Sequence, residues 1–205
     1  MKGQRRVWAP VLAVMVGLLA IGASGLARAT TVLKVDVPEM TRTSEWVVRA
    51  RVLQVESVDL RPQGEGLYTD VSLAIDEVYR GTAVPTTYVL RMMGGVGKDG
   101  MALTIPGMPR FAVGEEVVLF LEKTAMGHVP CGLGQGVWRV LRPPVGPPVV
   151  QQSTAGLNVM ARNDKGVLTT IEGQTVVART LADLGAEIRA VPAPLPATKP
   201  GPTLK

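Results

Sequence analysis

The chain contains a single histidine and a single cysteine, His128 and Cys131, three residues apart. Both are soft metal ligands, and a thiol beside an imidazole is also the core of a nucleophilic dyad. Two such donors do not close a metal shell, so no metal site is expected. A Ser–His–acid triad would have to use His128 as its base, and that residue sits in a Met-Gly-His stretch with no nucleophile pattern beside it. A Cys131–His128 dyad lacks a flanking helix N-terminus to lower the thiol pKa. The favoured expectation is a solvated loop histidine and a small buried cysteine. No catalytic residue and no cofactor are assigned.

Two acidic pairs, Asp76–Glu77 and Glu115–Glu116, invite a glycosidase reading in which carboxylates flank a sugar bond. Neighbours on a strand point to opposite faces, so neither pair is expected to act as a unit. The glycine-rich run from Met93 to Gly100 carries Lys98 and raises the idea of a phosphate cradle. The Walker spacing is missing, no Ser or Thr follows the lysine, and no helix pattern follows the loop. A flexible loop between strands is the expectation, and such loops suit partner contact. Met92, Met93, Met101 and Met108 gather around it and offer an adaptable apolar surface. The candidate binding residues are therefore Gly94, Gly95, Lys98, Met101, Met108 and Arg110.

The elements that would position these residues begin after an export signal. Lys2, Arg5 and Arg6 form a positive start, and an uncharged stretch runs from Val7 to Ala27. Ala27-Arg28-Ala29 then supplies the small–x–small pattern of a cleavage site, so cleavage is expected after Ala29. An uncleaved membrane anchor is the alternative. The whole chain is +5, but four of its basic residues (Lys2, Arg5, Arg6, Arg28) lie in the signal. Eighteen basic and seventeen acidic side chains then remain, a net charge of +1. That balance gives no electrostatic ground for nucleic-acid binding. The remaining 176 residues suit one domain, residues 30–191, which without a disulfide must be held by its core.

Strand patterns dominate that domain. Trp46, Val48, Ala50 and Val52 alternate along 45–55, and the apolar phase then moves to Leu53 and Val55. A second strand over 68–79 slips phase at Glu77–Val78; such slips indicate bulges that let a small sheet curl. Further strands are expected at 87–93, 135–141, around 149–161 and over 167–171. The continuous apolar run of 116–122 reads as a central strand covered on both faces. A short helical turn is expected at 38–44. A helix after Thr180 is marked by its capping box with Asp183 and by Leu181, Leu184, Ile188 and Val191 at helical spacing. Five prolines among residues 192–205 point to a disordered tail. The fold class is mainly β: a small OB-like barrel of five or more strands with one C-terminal helix.

The segments SEWVVRARVLQVES, YTDVSLAIDEVYRG and FAVGEEVVLFLEK resemble the strand framework of netrin-type modules, the OB-like group that includes the tissue inhibitors of metalloproteinases. The resemblance covers residues 44–141. The layout is also similar to that of exported bacterial proteins with a GxPxF segment, here Gly107 to Phe111. The resemblance implies a barrel and, for the inhibitors, a protease partner. Those inhibitors chelate the protease zinc through a disulfide-locked N-terminal cysteine, whereas Thr30 is expected first here.

These readings converge on an exported, non-enzymatic binding module, periplasmic or extracellular, that contacts another secreted or envelope protein, a protease among the options. The alternatives are an envelope structural component and, third, a thiol enzyme using Cys131 and His128. The membrane is a partner only if the signal is retained. Mass spectrometry of the exported protein should find Thr30 at its N-terminus; a chain starting at Met1 would mean a retained anchor.

Overall fold

The computed structural model describes residues 30–152, 157–162, 167–170 and 178–192. The signal, with Ala27 and Ala29, and the proline-rich tail from residue 193 lie outside the described residues. In chain order the elements are β1 (Thr30–Leu33), α1 (Val37–Thr43), β2 (Trp46–Asp59), β3 (Leu67–Arg80), β4 (Thr87–Met93), β5 (Gly95–Val96) and β6 (Ala102–Leu103). Then follow β7 (Glu116–Thr124), β8 (Gly127–Pro130), β9 (Val137–Leu141), β10 (Val149–Gln152), β11 (Leu157–Arg162), β12 (Leu168–Thr170), β13 (Ala178–Thr180) and α2 (Leu181–Ala190). The fold is mainly β and ends its described part on a helix.

A segment apolar on both faces is stable in a sheet only where both faces are covered. β7 is that segment. Val118 and Phe120 enter one core layer, and Val117, Leu119 and Leu121 enter the other. The first layer lies beneath the helices, where Met40 of α1 and Leu184 and Ile188 of α2 meet Val47, Trp138 and Val150. The second lines the inside of the curled sheet, with Val48, Ala50 and Val52 of β2 facing Val71, Leu73 and Leu90.

The main sheet runs β13-β10-β9-β7-β2-β3-β4, with β8 paired to the remaining length of β7. Its pairings are all antiparallel. Four antiparallel steps separate β4 from β8, so these two strands run in the same direction. The curl brings them together through side chains, but among the described residues no hydrogen-bond ladder joins them. The result is a strongly curled open sheet rather than a closed barrel.

Register shifts between β2 and β3 produce the curl, at Val47/Val48, Arg49/Ala50 and Val52/Gln54. The phase slips in both strands are therefore bulges. Leu53 corrects the expected inward phase: it is the extra residue of a bulge and is 49% exposed, and Val55 resumes the inner face.

Both helices start on side-chain caps. Glu39 N–H donates to Asp36 Oδ1 at 2.7 Å, and Asp183 N–H donates to Thr180 Oγ1 at 3.0 Å, as the capping box requires. Helix α2 ends at Ala190, leaving Val191 as its C-cap rather than part of the apolar stripe. The strand expected to start at Gln135 starts at Val137. Gln135 lies instead in a 3-10 turn, buried, where its amide replaces a strand neighbour for the N-terminal segment. It accepts from Val35 N–H at 3.1 Å and donates to Leu33 O at 2.9 Å.

Phe120 is fully buried at the centre of the helix-side layer. Phe120→Ala should lower unfolding free energy by about 3–5 kcal/mol. Leu53→Ser, on the outward bulge, should change it by less than about 0.5 kcal/mol. Urea denaturation of the two variants checks both values.

Candidate binding site

The candidate residues gather where the glycine-rich segment leaves β4. Gly94 turns the chain at φ +101°, and the run folds into a small hairpin in which Gly95 pairs with Leu103 and Val96 with Ala102. The expectation of a free loop is corrected, because side chains at the end of β2 clamp this hairpin. Arg61 donates from Nε to Asp59 Oδ1 at 2.9 Å and from its Nη2 to Asp59 Oδ2 at 2.7 Å. The same guanidinium donates to Asp99 at 2.8 and 3.1 Å, from the far side of the hairpin. Lys98 N–H donates to Asp59 Oδ2 at 3.2 Å and Val96 N–H to Ser57 Oγ at 3.1 Å. Thr69 Oγ1 donates to Gly94 O at 2.7 Å.

The Arg61 guanidinium, with the Lys98 backbone amide, holds the Asp59 carboxyl well below the usual carboxylate range. Arg61 is raised in turn by Asp59 and Asp99. Each partner of the clamp thus favours the ionised form of the other.

Two of the glycines are required by close backbone approach. A Cβ on Gly94 would overlap the backbone oxygen of Leu103 and one on Gly95 that of Tyr68, whereas one on Gly97 would meet the end of the Arg61 side chain. Between the clamped hairpin and the 104–111 segment lies a cleft of about 420 Å³. Gly94, Gly95, Met108 and Arg110 all line it, with Met92, Val96 and Leu103. Lys98 and Met101 do not line it; both are exposed, near the hairpin's tip. A second cleft, of about 470 Å³, lies along the seam between β4 and β8 and shares Met92, Met93 and Met108 with the first.

His128 is no solvated loop residue. It lies in β8 with a side chain 10% exposed, stacked on Trp46 at 3.7 Å between ring centroids. Its Nε2 meets Glu45 Oε2 at 2.9 Å and its Nδ1 meets the Tyr88 hydroxyl at 3.1 Å. A carboxylate only accepts, so in the neutral ring Nε2 donates to Glu45 and Nδ1 accepts from Tyr88. The cluster stitches β4 to β8 and closes part of the seam.

Cys131 belongs to the helix-side core, where its sulfur sits 3.4 Å from Thr43 Oγ1. Burial pushes this thiol up, away from the thiolate form a nucleophile needs. The polar partners of His128 and Cys131 are thus different residues, and the structure assembles no dyad from them.

The acidic pairs divide. Asp76 and Glu77 both meet Arg49, at 3.8 and 3.2 Å, because the bulge between Arg49 and Ala50 breaks the alternation that would have separated them. Glu115 and Glu116 stay apart, Glu115 on Arg139 at 3.2 Å and Glu116 on Arg49 at 2.6 Å and Arg142 at 2.7 Å. Arg142 first, then Arg49, hold Glu116 below its ordinary value. These contacts brace strands and leave no carboxylate pair around an open space for a sugar.

Sequence reading missed the Arg61–Asp59–Asp99 clamp and the Glu45–His128–Tyr88 stitch. Arg61 and Asp99 are 38 residues apart, and Glu45 and His128 are 83 apart, so no local pattern signals either. Among the described residues no group of three or more His, Cys, Asp or Glu could hold a metal, and no helix is long and apolar enough to cross a membrane. Comparison with protein-family models, curated proteins and solved structures finds no significant match for the chain.

Gly95→Ala forces the hairpin away from Tyr68. It should cost about 1–3 kcal/mol in denaturant unfolding and increase amide exchange at Val96 and Lys98.

Proposed function

We propose that the chain is an exported, non-enzymatic binding module that takes an extended apolar segment of a secreted or envelope protein into the hairpin cleft. One observation carries this reading. Met93, Val96, Met101 and Leu103 lie on or beside a single clamped hairpin and are 43–64% exposed. Apolar side chains grouped in this way on a surface suit contact with another protein. The methionines adapt to the shape of what they meet. The Arg61 clamp presets the backbone, so little ordering remains to oppose binding. Arg110 adds a cation to a cleft wall that also carries Ser57, Thr69 and Thr104 among its apolar side chains.

Export is supported by the basic start, the apolar run and the small–x–small pattern that precede Thr30. A secreted protease is one partner class that the resemblance of residues 44–141 to netrin-type modules suggests. The zinc-chelating mechanism of that family's inhibitors is left out, since it needs an N-terminal cysteine and disulfides.

Crosslinking capture with the exported protein tests the proposal. Leu103→Asp should abolish recovery of a stoichiometric partner while circular dichroism stays unchanged, and Lys98→Ala should leave recovery intact. Equal recovery with Leu103→Asp would sink the reading, and retention of the chain in the insoluble wall fraction without a partner would favour a structural role.

A further inference from the structure

The second cleft has a donor set that the first lacks. Four of the chain's nine methionines, Met92, Met93, Met108 and Met126, line its volume of about 470 Å³. They come from three separate segments: β4, the connection between β6 and β7, and the turn between β7 and β8. Met92 is 4% exposed, whereas Met93 and Met126 are 45% and 65% exposed. The rotatable thioether side chain lets exposed sulfurs fold onto a buried one.

Two charged residues border this cleft. Arg91 is engaged by Asp70 through two hydrogen bonds, of 2.7 and 2.6 Å. Glu122 is half-buried, and no hydrogen bond or ion pair among the described residues engages its carboxylate. We propose that this cleft binds a soft monovalent cation of the copper(I) class through the thioethers of Met92, Met108 and Met126.

The donor chemistry selects the ion. Thioether sulfur is a soft, neutral ligand that suits copper(I) and gives little to magnesium, calcium or zinc. Hard divalent ions need several oxygen ligands, and one carboxylate cannot supply them. Neutral sulfurs leave the ion its single positive charge. The apolar surroundings favour such a low-charge site over one that gathers a divalent ion.

This inference stands apart from the protein-binding reading, although the two clefts share a wall. Silver(I), a redox-inert soft cation, is the probe, titrated into the purified full chain with isotope-labelled methionine methyl groups. The methyl resonances of Met92, Met108 and Met126 should shift together and saturate at a single equivalent, with Met40 in the helix-side core unmoved. Met126→Leu keeps the apolar volume and should weaken silver binding at least ~10-fold. It should leave partner capture intact.

Unmoved methyls would overturn the proposal, including the case in which silver is taken up only at Cys131. So would a shift confined to Met101, a leucine variant that titrates like the parent, or the same shifts produced by magnesium or zinc. Loss of partner capture in Leu103→Asp with silver binding preserved bears on the protein-binding reading alone. Full capture by that variant with silver binding preserved refutes the protein-binding reading and leaves the cation site standing.

Discussion

Burial of β7 on both faces is the constraint on which the rest of the structure depends. A strand of that composition cannot sit at an edge or with one face in water. Something must cover each side, and the two covers differ in kind. Two helices lie over one face, while the sheet curls back on itself to cover the other. Helix capping at Asp36 and Thr180, the bulges of β2 and β3, and the inserted amide of Gln135 all serve those two covers.

Curling a sheet without closing it creates a seam, and the chain treats the seam's parts differently. Where β4 begins, Trp46, Tyr88 and His128 pack edge-to-face and stacked, and Glu45 secures the imidazole. Where β4 ends, thioethers and glycines replace aromatic rings, and space opens. The Arg61 clamp keeps the adjoining hairpin from collapsing into that space. An apolar opening fixed by charged hydrogen bonds along its outer rim can stay open without a ligand. A set of aliphatic core residues would draw it shut.

Much of this architecture was legible because it is written locally. The apolar run of 116–122, the alternation from Trp46 to Val52 and the Thr180–Asp183 cap each report on their own neighbourhood, and the structure follows them. The slip after Val52 correctly signalled a bulge, yet it could not say which residue would be expelled, and Leu53 went out rather than in. Site residues were legible in part. Glycines and methionines at 92–108 fall on one hairpin and its cleft, but Lys98 and Met101 are exposed and do not line that cleft. The solvated-loop expectation for His128 fails because its environment comes from Glu45, Trp46 and Tyr88, all far away in sequence. The rule that adjacent strand residues diverge failed at Asp76–Glu77 for a related reason. A bulge is a property of a pair of strands, and one strand's sequence does not contain it.

The two faces of the sheet also differ in what borders them. The helix-covered face carries the large side chains Phe120, Met40, Leu184 and Ile188, all at or near zero exposure, and its border carries the Arg142–Glu116–Arg49–Glu77–Arg189 chain of ion pairs. Arg189 also lies over the Tyr79 ring at 4.9 Å, and burial, with Glu77 nearby, pushes that phenol up to about 12. Partly exposed ion pairs of this kind add modestly to stability, but they fix the relative positions of β2, β3, β7 and α2. With no disulfide available, that packed face must hold the fold. The curled face is also closely packed, with Leu73, Leu90, Leu119 and Leu121 fully buried, and methionine and glycine, residues that pack adaptably, wall the clefts at its rim.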